Sequence, residues 1–274
     1  MRPGVRAAAR LVRPASRASR RLRRGGWLTL VGWHRLGPGD DGLSTPVDVF
    51  LRQLEVLERW GATVLSLNDA ARLCMADALP ARAVALTFDD GYSSVVKTAW
   101  PLLRERSLPA TLFVVTGYLD GGKRFPWDAA VGDQDAGRAQ LATSDDVAAA
   151  AVDGLDIGSH TVSHRWLPSL GADDLKRELA GSRAAAEELL GRPVQSLAYP
   201  MGGWNTAVLS AAHQAGYTIG VTTDRGANTR RQNPLSLRRA MAPNSAADFA
   251  LLLDGALTWL RPLDRWRQRG GAPW

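Results

Sequence analysis

Ala83-Val84-Ala85-Leu86-Thr87-Phe88-Asp89-Asp90-Gly91 is the stretch on which the reading of this chain turns. Its first six residues carry no charge and read as a buried strand. Two carboxylates follow at once. Neighbouring side chains on an extended strand point to opposite sides. Two adjacent acids can therefore do different jobs at one site only where the strand ends and the backbone turns. Gly91 supplies that turn, because it tolerates backbone angles closed to other residues.

A second stretch, Leu155-Asp156-Ile157-Gly158-Ser159-His160-Thr161-Val162-Ser163-His164, repeats the pattern with imidazoles. His160 and His164 are four residues apart, so one helical turn would present both on one face. The chain has only four histidines, and two of them fall at this spacing. Together the stretches offer one carboxylate and two imidazoles to a metal and leave a second carboxylate free to act as a base. An open three-ligand site of that kind is what a metal hydrolase needs.

Strands and helices alternate on either side of these motifs. Strands are expected at 28–33, 62–67, 83–88, 110–116, 155–157, 194–199 and 218–222. Helices are expected at 46–60, 68–79, 95–106, 144–152, 173–190, 207–215 and 249–260. In the helix 173–190, Leu175, Leu179, Ala186 and Leu190 share one face. Residues 117–137 read as a glycine- and charge-rich insertion. The alternation predicts a parallel α/β architecture, without choosing between an open sheet and a barrel. No internal repeat or low-complexity linker divides it, so a single domain is expected.

Thr87-Phe88-Asp89-Asp90-Gly91 and Ser159-His160-Thr161-Val162-Ser163-His164 together resemble the motifs of the polysaccharide deacetylases, the NodB-homology domains of carbohydrate esterase family four. The resemblance runs from about Leu28 to Ala242. It implies a distorted, incomplete (β/α) barrel. It also implies that Asp89 is the general base, and that Asp90, His160 and His164 bind one divalent metal ion, zinc before cobalt, nickel or iron. The segment Gly32-Trp33-His34-Arg35 resembles the opening of a circularly permuted branch, which implies that His34 is the acid protonating the departing amine. The third family motif falls on Ala198-Tyr199-Pro200-Met201-Gly202. Met201 is then expected to offer a backbone N–H to the oxyanion, with Tyr199 beside it at a strand end. Here the chain departs from the family, because Ala198 replaces an arginine that normally contacts the base. Arg238 or Arg239 could substitute for it, and the sequence does not decide which, if either, does. Trp127 and Asp128, in the insertion, are expected to form a sugar-binding rim.

The activity implied is removal of acetyl groups from N-acetylated sugars of a polysaccharide, oligosaccharide or glycolipid. An O-acetyl carbohydrate esterase and a catalytically weak glycan-binding protein are the alternatives. The acetylated carbohydrate is the expected partner, and no obligate protein partner is implied.

Charge is concentrated at one end. Residues 1–24 hold nine arginines and no acid. Setting these nine apart from the 34 basic residues leaves 25 against 27 acidic ones, so the body is nearly neutral. Arg6, Arg10, Arg13, Arg17, Arg20 and Arg24 recur at helical spacing, interrupted by Pro14. Residues 1–26 are therefore expected to be a basic arm, disordered or lying as a helix on an anionic membrane surface. It is expected to be dispensable for folding, with nucleic acid an unlikely partner. Residues 27–246 form the expected catalytic domain, and 247–274 a C-terminal helix and tail. The bulky Trp259 and Trp266 and the arginines 261, 265, 267 and 269 could add to membrane contact. No run has the apolar core of a secretion signal or the length of a membrane span, so the expected location is cytoplasmic, peripheral at the inner membrane face. The single cysteine, Cys74, excludes an intramolecular disulfide and reads as a packed hydrophobe.

Overall fold

The structure is a computed structural model describing residues 1, 3–22, 26–39, 41–120, 122–128 and 137–262. In chain order, the strands are β1 (Leu28–Trp33), β2 (Arg35–Leu36), β3 (Ser44–Thr45), β4 (Thr63–Val64), β5 (Ala83–Phe88), β6 (Ala110–Val114), β7 (Asp156–Ser159), β8 (Ser196–Ala198), β9 (Ile219–Val221) and β10 (Arg239–Met241). The α-helices are α1 (Pro3–Leu22), α2 (Val47–Trp60), α3 (Leu67–Met75), α4 (Trp100–Arg104), α5 (Ser144–Val152), α6 (Ala172–Leu190), α7 (Thr206–Gln214) and α8 (Ala246–Leu253).

Seven parallel strands follow the order β10-β1-β5-β6-β7-β8-β9, and β4 adds to the start of β5. The ends of this path meet where Val221 bridges Leu237, just before β10, so the barrel is nearly closed. Side-chain alternation along β1 and β5 separates two of the three core clusters, and the third joins Leu197 and Tyr199 to α6 and α7. Leu28, Leu30, Ala83, Ala85, Phe113, Ala198 and Val221 form one cluster with Leu67, Ala70, Ala71 and Cys74 of α3. Val31, Trp33, Val84, Leu86 and Phe88 belong to the other, with residues of α2, α5 and α8. Close packing decides one glycine: a Cβ on Gly158 would lie 2.5 Å from the Phe113 ring. Burial pushes the Cys74 thiol up to about 11, as suits a packed side chain and not a nucleophile.

Most expected elements are found within a few residues. The helix expected at 95–106 is instead a π-turn over Val95–Ala99 that continues into α4. Pro101 has no N–H to donate to the carbonyl four residues back, so a regular turn cannot form there. Strand β10 went unpredicted because its three residues, Arg239-Ala240-Met241, follow Arg238 and lie in no apolar run. The last expected helix stops at Leu253, and Thr258–Leu260 is a separate 3-10 turn.

The N-terminal arm is an ordered helix, docked on α8. Arg6 donates to both oxygens of Asp248, at 2.7 and 2.8 Å, and Asp248 is fully buried. Arg13 and Arg17 pair with the buried Asp254 at 2.6 and 2.9 Å, and Trp60 donates to the same carboxylate. Ala9 is fully buried, whereas Arg10 is exposed. Arg6, Arg13 and Arg17 thus form a seam of intramolecular ion pairs, and of the two expectations for the arm, disorder or a helix, residues 3–22 form the helix. Arg24, the side chain of Arg20, and Arg265, Trp266, Arg267 and Arg269 lie outside the described residues. α8 joins the main core through Phe249, Leu251, Leu252 and Leu253. No described helix is long and apolar enough to cross a membrane.

Deleting residues 1–22 should therefore destabilise the protein. Breaking a fully buried ion pair costs about 3–5 kcal/mol. Arg13 and Arg17 are a third to a half exposed, which reduces that to about 1–3 kcal/mol for their pairing with Asp254. Burial opposes ionisation of Asp254, but Arg17, Trp60 and Arg13 outweigh it and hold its pKa below the usual carboxylate range. The stabilisation is thus present above the unfolded-state pKa and is lost as pH falls through the folded-state value. Thermal melts should show the truncated protein melting lower, with the gap largest near neutral pH and smaller in acid. Identical melting curves would remove the seam from the stability of the fold.

Candidate active site and metal centre

The site residues gather where the barrel strands end. β5 delivers Asp89 and Asp90, β7 leads to His160 and His164, and β1 leads to His34. Asp90 and Gly91 both adopt left-handed backbone angles, with φ of 73° and 78°. This double turn separates the two carboxylates. Asp89 receives Arg239, at 2.6 Å to each oxygen, and both side chains are buried. Asp90 is aimed at the histidines, with Oδ1 lying 3.4 Å from His160 Nε2 and 3.5 Å from His164 Nε2.

Asp90, His160 and His164 each offer a ligand atom, and these atoms lie within 4.8 Å of one another. Asp90 Oδ1 is buried without a hydrogen bond. His160 Nδ1 lies 2.8 Å from the Ala198 carbonyl, which as acceptor fixes the proton on Nδ1 and leaves Nε2 with a lone pair. Burial and the neighbouring His160 push His164 down to about 4, so its imidazole is neutral near pH 7. A buried, unsatisfied carboxylate oxygen facing two imidazole nitrogens fits a divalent cation.

The histidine loop is not the helical turn that the spacing suggested. Thr161 and His164 have positive φ, 70° and 56°, and no helix is assigned there. Glu178 of α6 holds the loop instead. Its carboxylate accepts from the N–H of Val162 at 3.0 Å, the N–H of Ser163 at 2.9 Å and the Ser163 hydroxyl. His164 N–H is taken by Thr161 Oγ1. The two imidazoles converge through this turn and not through helical geometry.

Electrostatics separate the two aspartates. Burial would raise both, but Asp89 is held below the usual carboxylate range by Arg239 foremost, and Asp90 by the histidines. Burial lowers His160, but the carboxylates of Asp89 and Asp90 outweigh it and leave it raised. His34 is near enough for its charge to bear on Asp89, Asp90 and His164. His213 is exposed on α7.

Other expected site residues have different surroundings. Tyr199 is fully buried, and its hydroxyl donates to the Leu235 carbonyl at 2.7 Å, so its side chain packs the barrel and is closed to a substrate. Asp128 is likewise corrected: it is fully buried, with one oxygen on Arg35 at 2.5 Å and the other accepting from Tyr92 at 2.7 Å. Trp127 stacks on Phe125 and sets its ring edge against His164, 4.9 Å between centroids. Met201 occupies a left-handed turn, φ 56°, at the end of β8.

Two residues complete the arrangement. Arg239, left undecided with Arg238 in the sequence, makes the contact that Ala198 cannot. Glu178 was unanticipated, although its position carried a signal: it is a charge on the apolar stripe Leu175, Leu179 and Ala186, and all four are buried.

A nearly closed α/β barrel with an Asp-His-His cluster and a separately paired aspartate at its strand ends is a hydrolase scaffold. The sequence profile of the family described as "Polysaccharide deacetylase" matches residues 76–220, and the chain belongs to that family. It is 28% identical over 213 residues to "Putative polysaccharide deacetylase YxkH" of Bacillus subtilis (strain 168), covering 77% of this chain and 70% of that protein. The Streptococcus pyogenes deacetylase PplD, solved with acetate, has a similar fold. Its TM-score is 0.72 at 24% identity, over 84% of this chain and 99% of that one. IcaB from Ammonifex degensii superposes with a TM-score of 0.70 at 21% identity, over 85% of this chain and 98% of that one.

Replacing Glu178 with alanine should loosen the histidine loop without removing a ligand. Loss of such supporting hydrogen bonds typically lowers metal affinity by about 10–100-fold. Competition with a chromophoric chelator would measure this, and unchanged affinity would make Glu178 a packing residue only. Arg239→Met should leave Asp89 buried without its cation, costing on the order of 3–5 kcal/mol in denaturant melts. A variant as stable as the parent would contradict that bracing role.

Proposed function

We propose that this protein is a metal-dependent hydrolase that removes acetyl groups from N-acetylated sugars in a polysaccharide, oligosaccharide or glycolipid. The observation that carries the reading is the division of two adjacent carboxylates, one clamped by Arg239 and the other facing His160 and His164. Asp90, His160 and His164 would hold one divalent ion, and two imidazoles with a carboxylate suit zinc. Such an ion supplies Lewis acidity, which polarises an acetyl carbonyl and acidifies water.

The remaining work falls to the chain's own groups. Asp89 accepts the proton of the attacking water. Arg239 keeps that carboxylate ionised and fixed in place, and each oxygen retains a second lone pair for the water. The backbone N–H of Met201 donates to the oxyanion that develops on the acetyl group. His34 gives a proton to the departing nitrogen, since an amide anion is a very poor leaving group. The products are acetate and a free amino sugar. Trp127 borders the site beside His164 and offers an aromatic surface to a sugar ring.

The membrane reading is narrower than the arginine count suggested. Arg6, Arg13 and Arg17 are engaged with α8. Contact with an anionic surface at the inner membrane face of a cytoplasmic protein would rest on Arg10 and the run Arg20-Arg21-Leu22-Arg23-Arg24.

Acetate release across neutral N-acetyl oligosaccharides, polymers and lipid-linked sugars tests the activity. Asp89→Asn should keep the metal, by elemental analysis, and lose about 10²–10⁴ in rate. His160→Ala should lose both metal and activity while keeping the fold. Near-normal turnover by Asp89→Asn would move the base elsewhere, and full metal occupancy in His160→Ala would refute the ligand set.

A further inference from the structure

A cavity of about 490 Å³ is walled by Tyr118, Lys123, Arg124, Gln140 and Thr143 among others. That size is in the range of small-ligand sites. Two features tie it to the active site. First, residues 140–142 run along the loop that follows Asp90: Ser93 N–H donates to the Gln140 carbonyl, and Ala142 N–H to the Gly91 carbonyl, each at 2.9 Å. Second, an aromatic ladder leads from the cavity to a histidine of the cluster. Tyr118 stacks on Phe125 at 4.4 Å, Phe125 on Trp127 at 4.5 Å, and Trp127 meets His164 at 4.9 Å.

Among the described wall residues two cations outnumber one acid. Lys123 and Arg124 are exposed, and neither has a hydrogen-bonding or ion-pair partner among the described residues. The one acid among the described wall residues, Asp120, accepts at Oδ1 from the Ser144 N–H at the start of α5, at 2.8 Å. Gln140 can hydrogen-bond hydroxyls, and Tyr118 supplies a ring for a sugar face. Exposed cations beside an aromatic ring suit a sugar that carries an oxyanion.

We propose that this cavity is a subsite for a glycan residue bearing an anionic group, a carboxylate or a phosphate, near the acetylated sugar. Lys123 and Arg124 bind the oxyanion, and Tyr118 packs on the ring. The inference rests on the reading of the site as a glycan deacetylase and narrows its substrates to acidic glycans.

The test uses the full chain and three N-acetylglucosamine oligomers of equal length: one neutral, one with a neighbouring uronate and one with a neighbouring phosphate monoester. Binding is measured by calorimetry and acetate release by KM and kcat, at low and high salt. Wild type should bind an acidic oligomer about three- to tenfold more tightly than the neutral one, an advantage that salt reduces. Lys123→Gln/Arg124→Gln should abolish the advantage, Lys123→Glu/Arg124→Glu should reverse it, and Lys123→Arg/Arg124→Lys should keep it. The change should appear in KM and not in the kcat ratio of the oligomers. The arm that carries the advantage identifies the oxyanion. Equal binding of all three oligomers by wild type, or an advantage that survives the double glutamine variant, would overturn the proposal. Charge-dependent binding without acetate release from any oligomer would support the subsite and count against the deacetylase reading.

Discussion

The paired hydrogen bonds from Arg239 to Asp89 are the interaction on which this architecture turns. They cross the barrel from β10 to the end of β5, and β1 lies between those strands. The guanidinium also donates to Thr87 Oγ1 and the Thr222 carbonyl, and it stands over the Phe113 ring. Neither charge would be tolerated alone at this depth, because removing an ion from water costs several kcal/mol that only close pairing offsets. The pair therefore braces the barrel interior and sets the ionisation of Asp89 by one and the same contact.

Around this brace the backbone departs repeatedly from relaxed geometry. Asp90, Thr161, His164 and Met201 all have positive φ, and all lie at the carboxyl ends of the strands. Such conformations cost on the order of 1–3 kcal/mol each and persist only where the surroundings impose them. At Thr161–His164 the surroundings are three hydrogen bonds to Glu178 and one to Thr161 Oγ1. At Asp90 they are the strand register and Gly91. This strain turns the Asp90 carboxylate away from Asp89 and brings two imidazoles together, which a regular strand or helix could not do at these positions.

Much of this could be read from the sequence, and the misses share a physical origin. Two acids after an apolar run and two histidines after another are local patterns. They located β5, β7 and the cluster Asp90, His160 and His164. The arginine opposite Asp89 is about 150 residues away in sequence, on a strand too short to show periodicity, so neither its partner nor its identity had a local signal. The histidine spacing pointed to a helix because i, i+4 is a helical interval, but Glu178 reaches in from α6 and imposes a turn. Three arginines of α1, Arg6, Arg13 and Arg17, meet buried acids, which their period alone could not show. Periodicity reports a face, and it does not say whether solvent, lipid or the buried Asp248 and Asp254 will meet it.

Asp128 shows how a residue can leave the substrate surface and still shape the site. Its carboxylate joins Arg35, the residue after His34, to Tyr92, and Trp127 Nε1 donates to the same Tyr92 hydroxyl. Arg35 also reaches Ser44 and Asp41, so the β2–β3 loop enters the network. Burial pushes the Tyr92 phenol far above its ordinary value, and the charges of Asp90 and Asp128 push it further, so it remains a neutral hydrogen-bond donor. One buried network thus fixes the loop that carries His34, the aromatic wall formed by Trp127, and the residue two positions beyond Asp90. A sugar-facing aspartate at position 128 would add one hydrogen bond to a ligand, whereas the buried one holds together three segments that come from distant parts of the chain.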